Sequence, residues 1–219
     1  IEDGISAERI TVIRSAVDTD GFATPPDRES FNAVVGAQEG HRYLFCIAQL
    51  IARKGHTYLL EAMARLTGRY PDLRLVLFGQ GPLEDDLKAQ TKRLGLAEQV
   101  QFAGFRDDLD SYLGCAHIVV HPAIAEGLGV AALKAAAAGV PVIAFAAGGL
   151  GEAVAHDETG LLVPPGDTDA LAGAITALLD DPDRCRQFGE NGKRRMRQEF
   201  AVSSMVDAHL NLYRSLINE

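Results

Sequence analysis

Residues Glu126-Gly127-Leu128-Gly129 stand directly before an Ala-rich stretch, and that stretch is closed by Gly139 and Pro141. Two glycines ahead of a helix let the backbone come close to a ligand. The first N–H groups of a helix have no partner inside it and, with the helix dipole, favour an anion, most often phosphate. A carboxylate at Glu126 beside such a site either holds sugar hydroxyls or merely caps the helix. Lys54 sits at the mouth of a second strand–loop–helix unit, Gln49 to Leu66, where its ammonium reaches a phosphate held by neighbouring loops or is simply solvated. Gly79-Gln80-Gly81 lacks the third glycine of a dinucleotide fingerprint, so a nicotinamide or flavin site is not expected there. Six histidines show no metal-ligand spacing; His121 and His156 fall near the same edge, where packing or loop roles compete with ligand contact.

These residues need elements to hold them. Strands are expected at Arg42–Ala48, Leu73–Phe78, Val100–Ala103, His117–His121, Val140–Phe145 and Leu161–Val163. Helices are expected from Gly55 to Gly68, from Pro82 to Gly95, over Asp107–Cys115, over Gly129–Ala138, from Asp167 to Leu179, and over Pro182–Phe200 and Ser203–Ile217. Ile10–Ile13 reads as a short strand, and both Asp18–Asp27 and Phe31–His41 read as loop. Alternating strands and helices imply a Rossmann-like α/β fold, a parallel sheet with helices on both faces. Such folds bind ligands at the carboxyl ends of the strands. Lys54, Gly79, Arg106, Glu126 and Gly148 all follow strands and so share one edge.

The 219 residues form a single domain: a leading segment and linker (1–40), a core (41–180) and C-terminal helices (181–219). The chain opens on Ile1 with no methionine, which reads as a fragment. A formal charge of −9 argues against nucleic acid as a partner. No apolar run reaches the roughly 18 residues that span a bilayer. Cys46, Cys115 and Cys185 are far apart and read as small apolar residues in a reducing, cytoplasmic compartment. The run Lys193-Arg194-Arg195-Met196-Arg197 reads either as a solvated face complementing its helix dipole or as a contact with anionic lipid.

Seven motifs in order carry a resemblance: Lys54-Gly55; Phe78-Gly79-Gln80-Gly81-Pro82; Phe102-Ala103-Gly104-Phe105; Glu126-Gly127-Leu128-Gly129; Ala138-Gly139-Val140-Pro141-Val142-Ile143-Ala144; Gly148-Gly149-Leu150-Gly151-Glu152; and Gly160 through Asp167. From about Ile10 to Ile217 the chain resembles the C-terminal, donor-binding domain of the family 4 retaining glycosyltransferases of GT-B fold. The resemblance implies a nucleotide-diphosphate sugar as substrate, no cofactor and no metal, and an N-terminal acceptor domain of the same polypeptide lying outside this chain, so that the isolated domain is inactive. It implies that Lys54 pairs with the diphosphate. Gly127, Leu128, Gly129 and Val130 would offer backbone N–H groups, and Glu126, the first Glu of an E-x7-E pattern, would lie against the donor sugar. Gly79 would line the site, and Phe105 and Arg106 would pack the nucleobase.

Three positions depart from the pattern. The second Glu falls on Lys134, which cannot accept hydrogen bonds from ribose. The Arg five residues before the lysine falls on Gln49, and the Asn-Gly before Val17-Asp18 is Ser15-Ala16. Lys134 would restore the lost charge if its ammonium reached the phosphates. The departures also fit a degenerate nucleotide- or sugar-binding module, and fold analogy admits an epimerase.

Overall fold

Short, near-continuous apolar runs, buried on both faces, build a six-stranded, all-parallel sheet in the order β3-β2-β1-β4-β5-β6. The strands are β1 (Arg42–Ile47), β2 (Leu73–Phe78), β3 (Val100–Gly104), β4 (Ile118–His121), β5 (Val142–Phe145) and β6 (Gly160–Val163). The computed structural model describes residues 6–217. The helices are α1 (Arg28–Val35), α2 (His56–Leu66), α3 (Glu84–Arg93), α4 (Leu109–Tyr112), α5 (Val130–Ala137), α6 (Leu150–Ala153), α7 (Thr168–Leu179), α8 (Pro182–Glu199) and α9 (Val202–Ile217).

Successive residues of a strand face opposite sides of the sheet, and the two cores follow that rule. Leu44, Cys46, Leu75, Leu77, Ile118, Val120 and Ile143 pack with Leu59, Leu60 and Met63 of α2 and Leu171 and Ile175 of α7. Tyr43, Phe45, Val76, Phe78, Val119, Val142 and Ala144 pack on the other side with α4 and α5. The Ala-rich α5 lies close to α8 as well as to the sheet. A Cβ on Gly189 would come within 2.1 Å of the Gly139 carbonyl oxygen, and one on Gly192 within 3.3 Å of Ala136.

The leading segment departs from expectation. Residues 10–13 form no strand; a few residues on, Val17 makes an isolated parallel bridge to Ala201. Residues 31–35, read as loop, belong to α1. Asp27 caps that helix by accepting from Ser30 N (3.0 Å), and Gly36, at φ 62, ends it. Tertiary packing holds this short helix: the Phe31 ring meets Tyr43 edge-on at 5.0 Å and lies 5.6 Å from Phe45. The second glycine-rich loop also contains a turn of helix, α6, in place of continuous loop.

In this strand order the chain leaves the neighbouring strands β1 and β4 in opposite directions. The loops beyond their carboxyl ends therefore separate and leave a crevice. Gln49–Gly55 follows β1, and Pro122–Gly129 follows β4.

Candidate functional site

The crevice is built by close backbone approach. After β1 the chain makes a turn of 3-10 helix, Ala52–Lys54, and Gly55 reverses it at φ 70. A Cβ at Gly55 would lie 1.9 Å from the Pro122 carbonyl oxygen, so only glycine lets the Lys54 turn press on the β4 loop. Ile124 N donates to Arg53 O at 2.9 Å across the same seam. The second glycine-rich loop closes on the first: Cβ atoms at Gly148 and Gly149 would lie 1.9 Å from the carbonyl oxygens of Glu126 and Gly127.

At the centre stands Glu126. Its Oε2 accepts from the Lys54 ammonium and from His121 Nε2 (2.9 Å), while Oε1 accepts from Gly127 N (3.1 Å). The side chains of Lys54 and Glu126 are each 12% exposed. The hydrogen bond from His121 and then the bond and charge of Lys54 outweigh the opposing cost of burial and hold the Glu126 carboxyl down to about 2. Glu126 is therefore a fixed, ionised carboxylate. It does not cap α5; its own loop, on the N-terminal side of the helix, is what it binds.

The helix end itself stays uncapped. Gly129 is the N-cap, at φ 81, with no side-chain acceptor. Among the described residues no acceptor takes the N–H groups of Leu128, Gly129, Val130 or Ala131. The Gly127 N–H, expected with them, is already given to Glu126. Leu128 turns its side chain toward the second core, whereas Val130 is exposed. One rim thus carries a lysine ammonium, a carboxylate and a run of unpaired amides, an arrangement suited to a diphosphate with hydroxyls beside it.

The remaining expected residues fall into two groups. Gly79, at φ 143, donates its N–H to Gly104 O at 2.8 Å, and a Cβ there would lie 2.0 Å from Ala48 O; it locks the loops after β1, β2 and β3 together. Phe105 follows with its ring 70% exposed, a flat apolar surface facing solvent. Arg106 is held by Asp108 (Nε to Oδ1, 2.9 Å), and Tyr112 donates to the same oxygen at 3.0 Å. Gln49 is exposed in the turn after β1. Lys134 lies one turn along α5, and its Nζ pairs with Asp110 Oδ2 at 2.6 Å; that ammonium is engaged on α4.

Two buried histidines stand at the corner. His121, which from the sequence reads as packing or ligand contact, is a buried donor to Glu126. Its place two residues before an Ala-Ile-Ala-Glu run gave no periodic signal. His56 opens α2 directly after Lys54-Gly55, is 2% exposed, and neither ring nitrogen has a partner among the described residues. Burial pushes it down to about 4. His156 behaves as a loop residue, its Nδ1 accepting from Leu162 N at 3.0 Å. Among the described residues no group of three or more His, Cys, Asp or Glu is placed to hold a metal ion. In the basic run, Lys193 donates to Phe22 O, Arg194 to Asn191, and Arg195 to Glu199 and the carbonyls of Glu152 and Ala153. Cys46, Cys115 and Cys185 are unpaired thiols. No helix among the described residues is long and apolar enough to cross a membrane.

The strand order and the anion-ready rim at its switch point define a doubly wound α/β fold whose crevice suits an anionic ligand. Comparison with known families is specific: residues 27–195 match the family described as glycosyl transferases group 1. The chain belongs to that family. It is 29% identical over 214 residues to the lipopolysaccharide core biosynthesis mannosyltransferase LpsB of Rhizobium meliloti, covering 94% of this chain and 61% of that protein. It is 34% identical over 186 residues to a GDP-mannose-dependent alpha-(1-6)-phosphatidylinositol monomannoside mannosyltransferase of Mycolicibacterium smegmatis, covering 81% and 49%. Among solved structures, Anabaena Alr3699/HepE in complex with UDP superimposes with a TM-score of 0.89 at 27% identity, over 100% of this chain and 60% of that one. The C-terminal domain of a group 1 glycosyl transferase (LpcC) from Francisella tularensis matches with a TM-score of 0.76 at 26% identity, covering 85% of this chain and 99% of that one. The chain thus spans about half to three-fifths of the length of these curated relatives and nearly all of a solved C-terminal domain.

Proposed function

We propose that this chain is the donor-binding half of a glycosyltransferase that moves a hexose-type sugar, with retention, from a nucleoside diphosphate to a glycan or lipid acceptor. The observation that carries the reading is that Lys54, paired with Glu126, stands at the same loop as the unpaired amides of Leu128–Ala131. As the sugar–phosphate bond breaks, charge grows on the leaving diphosphate. An ammonium and fixed N–H dipoles stabilise that charge more in the transition state than in the ground state, without a metal. Glu126, ionised and fixed at both oxygens, lies at the same point and keeps one lone pair, on Oε1, for a sugar hydroxyl. The exposed Phe105 ring offers a stacking surface for the base. Solved relatives described as complexes with UDP and with UDP-glucose support a nucleotide-sugar donor. Curated relatives described as GDP-mannose-dependent support the same class with another base and sugar.

The rim is an open face: Ala125, Gly127, Val130, Gln49 and Phe105 are all exposed. An open face is what half of an interdomain cleft looks like, and we assign acceptor binding to a second domain of a longer polypeptide. The alternative is a module that keeps the fold without the chemistry, and the Lys134–Asp110 pair favours it, because no carboxylate on α5 is left for ribose.

Calorimetry with UDP, GDP and ADP separates the two. The transferase reading expects one of them to bind at micromolar affinity and Lys54→Ala to abolish that binding. Binding only after Lys134→Glu supports the module. Release of nucleotide from a nucleotide sugar by the longer protein tests the activity itself, and no release from any donor tried counts against it.

A further inference from the structure

His121 is the last residue of β4 and is 2% exposed. Alternation along that strand gives it the face of Val119, away from Ile118 and Val120. Its Nε2 lies 2.9 Å from the same Glu126 oxygen that Lys54 engages. An ionised carboxylate only accepts, so the hydrogen between them belongs to Nε2. Nδ1 is buried with no partner among the described residues.

A lysine and a glutamate joined in a half-open corner have many torsions between them and no single preferred geometry. Here the carboxylate plane is fixed at both ends, by His121 on Oε2 and by Gly127 N on Oε1. The imidazole hangs from a strand end and is packed on all sides, so it is the rigid member of the set. We propose that His121 is a positioning residue: its Nε2–H orients Glu126 Oε2, and that oxygen in turn holds the Lys54 ammonium at the mouth of α5. The role in donor binding rests on the reading of this corner as a diphosphate site; the orientation of the pair does not. The largest single influence holding the Glu126 carboxyl down to about 2 is this same hydrogen bond. The other charged or titratable groups near the pair are Lys54 itself, His56 at the start of α2, the buried Cys46 of β1, and Arg53, whose Nη1 donates to Ala125 O at 3.3 Å.

Three measurements on the chain test the proposal. In a long-range 1H–15N spectrum the His121 hydrogen is expected on Nε2; a hydrogen on Nδ1 alone overturns it. In a 13C titration of the Glu126 carboxyl, His121→Leu is expected to move the midpoint upward. His121→Gln, whose amide can present N–H near the Nε2 position, is expected to keep it low. An unmoved midpoint in the Leu variant, or equal movement in both variants, overturns the proposal. Should the Leu variant not fold, the tautomer of the wild type and the midpoint of the Gln variant decide. Of UDP, GDP and ADP, whichever the wild type binds should bind about tenfold more weakly to the Leu variant, the scale of one charge-assisted hydrogen bond. If none binds the wild type, the donor reading falls while the titration still judges His121.

Discussion

Replacing Glu126 by Gln keeps the shape of the corner and inverts part of its hydrogen bonding. The carboxylate accepts three donors: Lys54 and His121 at Oε2 and Gly127 N at Oε1. An amide offers one acceptor and one donor group. With its oxygen toward Lys54 and His121, its NH2 faces the Gly127 N–H; turned round, it faces an ammonium and an imidazole N–H. Either way a donor meets a donor, and the Lys54 charge loses its counter-ion in a site 12% exposed. That should cost about 2 kcal/mol, or roughly 4–8 °C in Tm for a chain of this length. The pH dependence is a sharper signature. Glu126 titrates near its ordinary 4.5 when unfolded and at about 2 in the folded protein. Between those values the unfolded state binds more protons. The carboxylate's contribution is therefore complete above pH 4.5 and is lost as pH falls toward 2. A dry site would make that contribution about 3 kcal/mol; the corner opens on water, and screening leaves roughly half. Urea unfolding of wild type and Glu126→Gln from pH 7 to pH 2.5 should show a gap that is constant above pH 5 and narrows below it. Parallel curves, or a Tm change under 1 °C at pH 7, would refute the account of Glu126 as a fixed, ionised acceptor.

Two further outcomes follow from neighbouring residues. His56 is held from 6.5 down to about 4 by burial, so its contribution is present above pH 6.5 and lost as pH falls toward 4. His56→Leu should flatten stability across that window while leaving the Glu126 window below it, as read by thermal unfolding in steps of half a pH unit. Gly148→Ala puts a Cβ 1.9 Å from Glu126 O at φ 54 and should lower stability by about 2–4 kcal/mol. Gly151→Ala, in α6 with nothing within 4 Å, should be neutral or raise it by about 0.5–1 kcal/mol, and equal effects in chemical denaturation would contradict the loop-on-loop packing.

The succession of strands and helices was legible in the sequence because both signals are local: short, near-continuous apolar runs at β1, β2 and β4, and a 3.6-residue apolar period along α2 and α7. Edge placement of Lys54, Gly79, Arg106, Glu126 and Gly148 followed from the same pattern, since each stands where a strand gives way to a loop. The leading segment was misread because α1, at eight residues, is too short to repeat an apolar period, and Phe31 holds it against rings of β1.

What the linear chain settled is the set of groups available at one rim. What only the tertiary structure decided is how they are paired. The strand order places the loops after β1 and β4 side by side, so residues 72 positions apart share one oxygen. That oxygen also takes a histidine whose burial no local pattern announces, and Lys134 goes to Asp110 on another helix. Pairing between charges depends on distance through space, and spacing along the chain specifies that distance only within a turn or a strand.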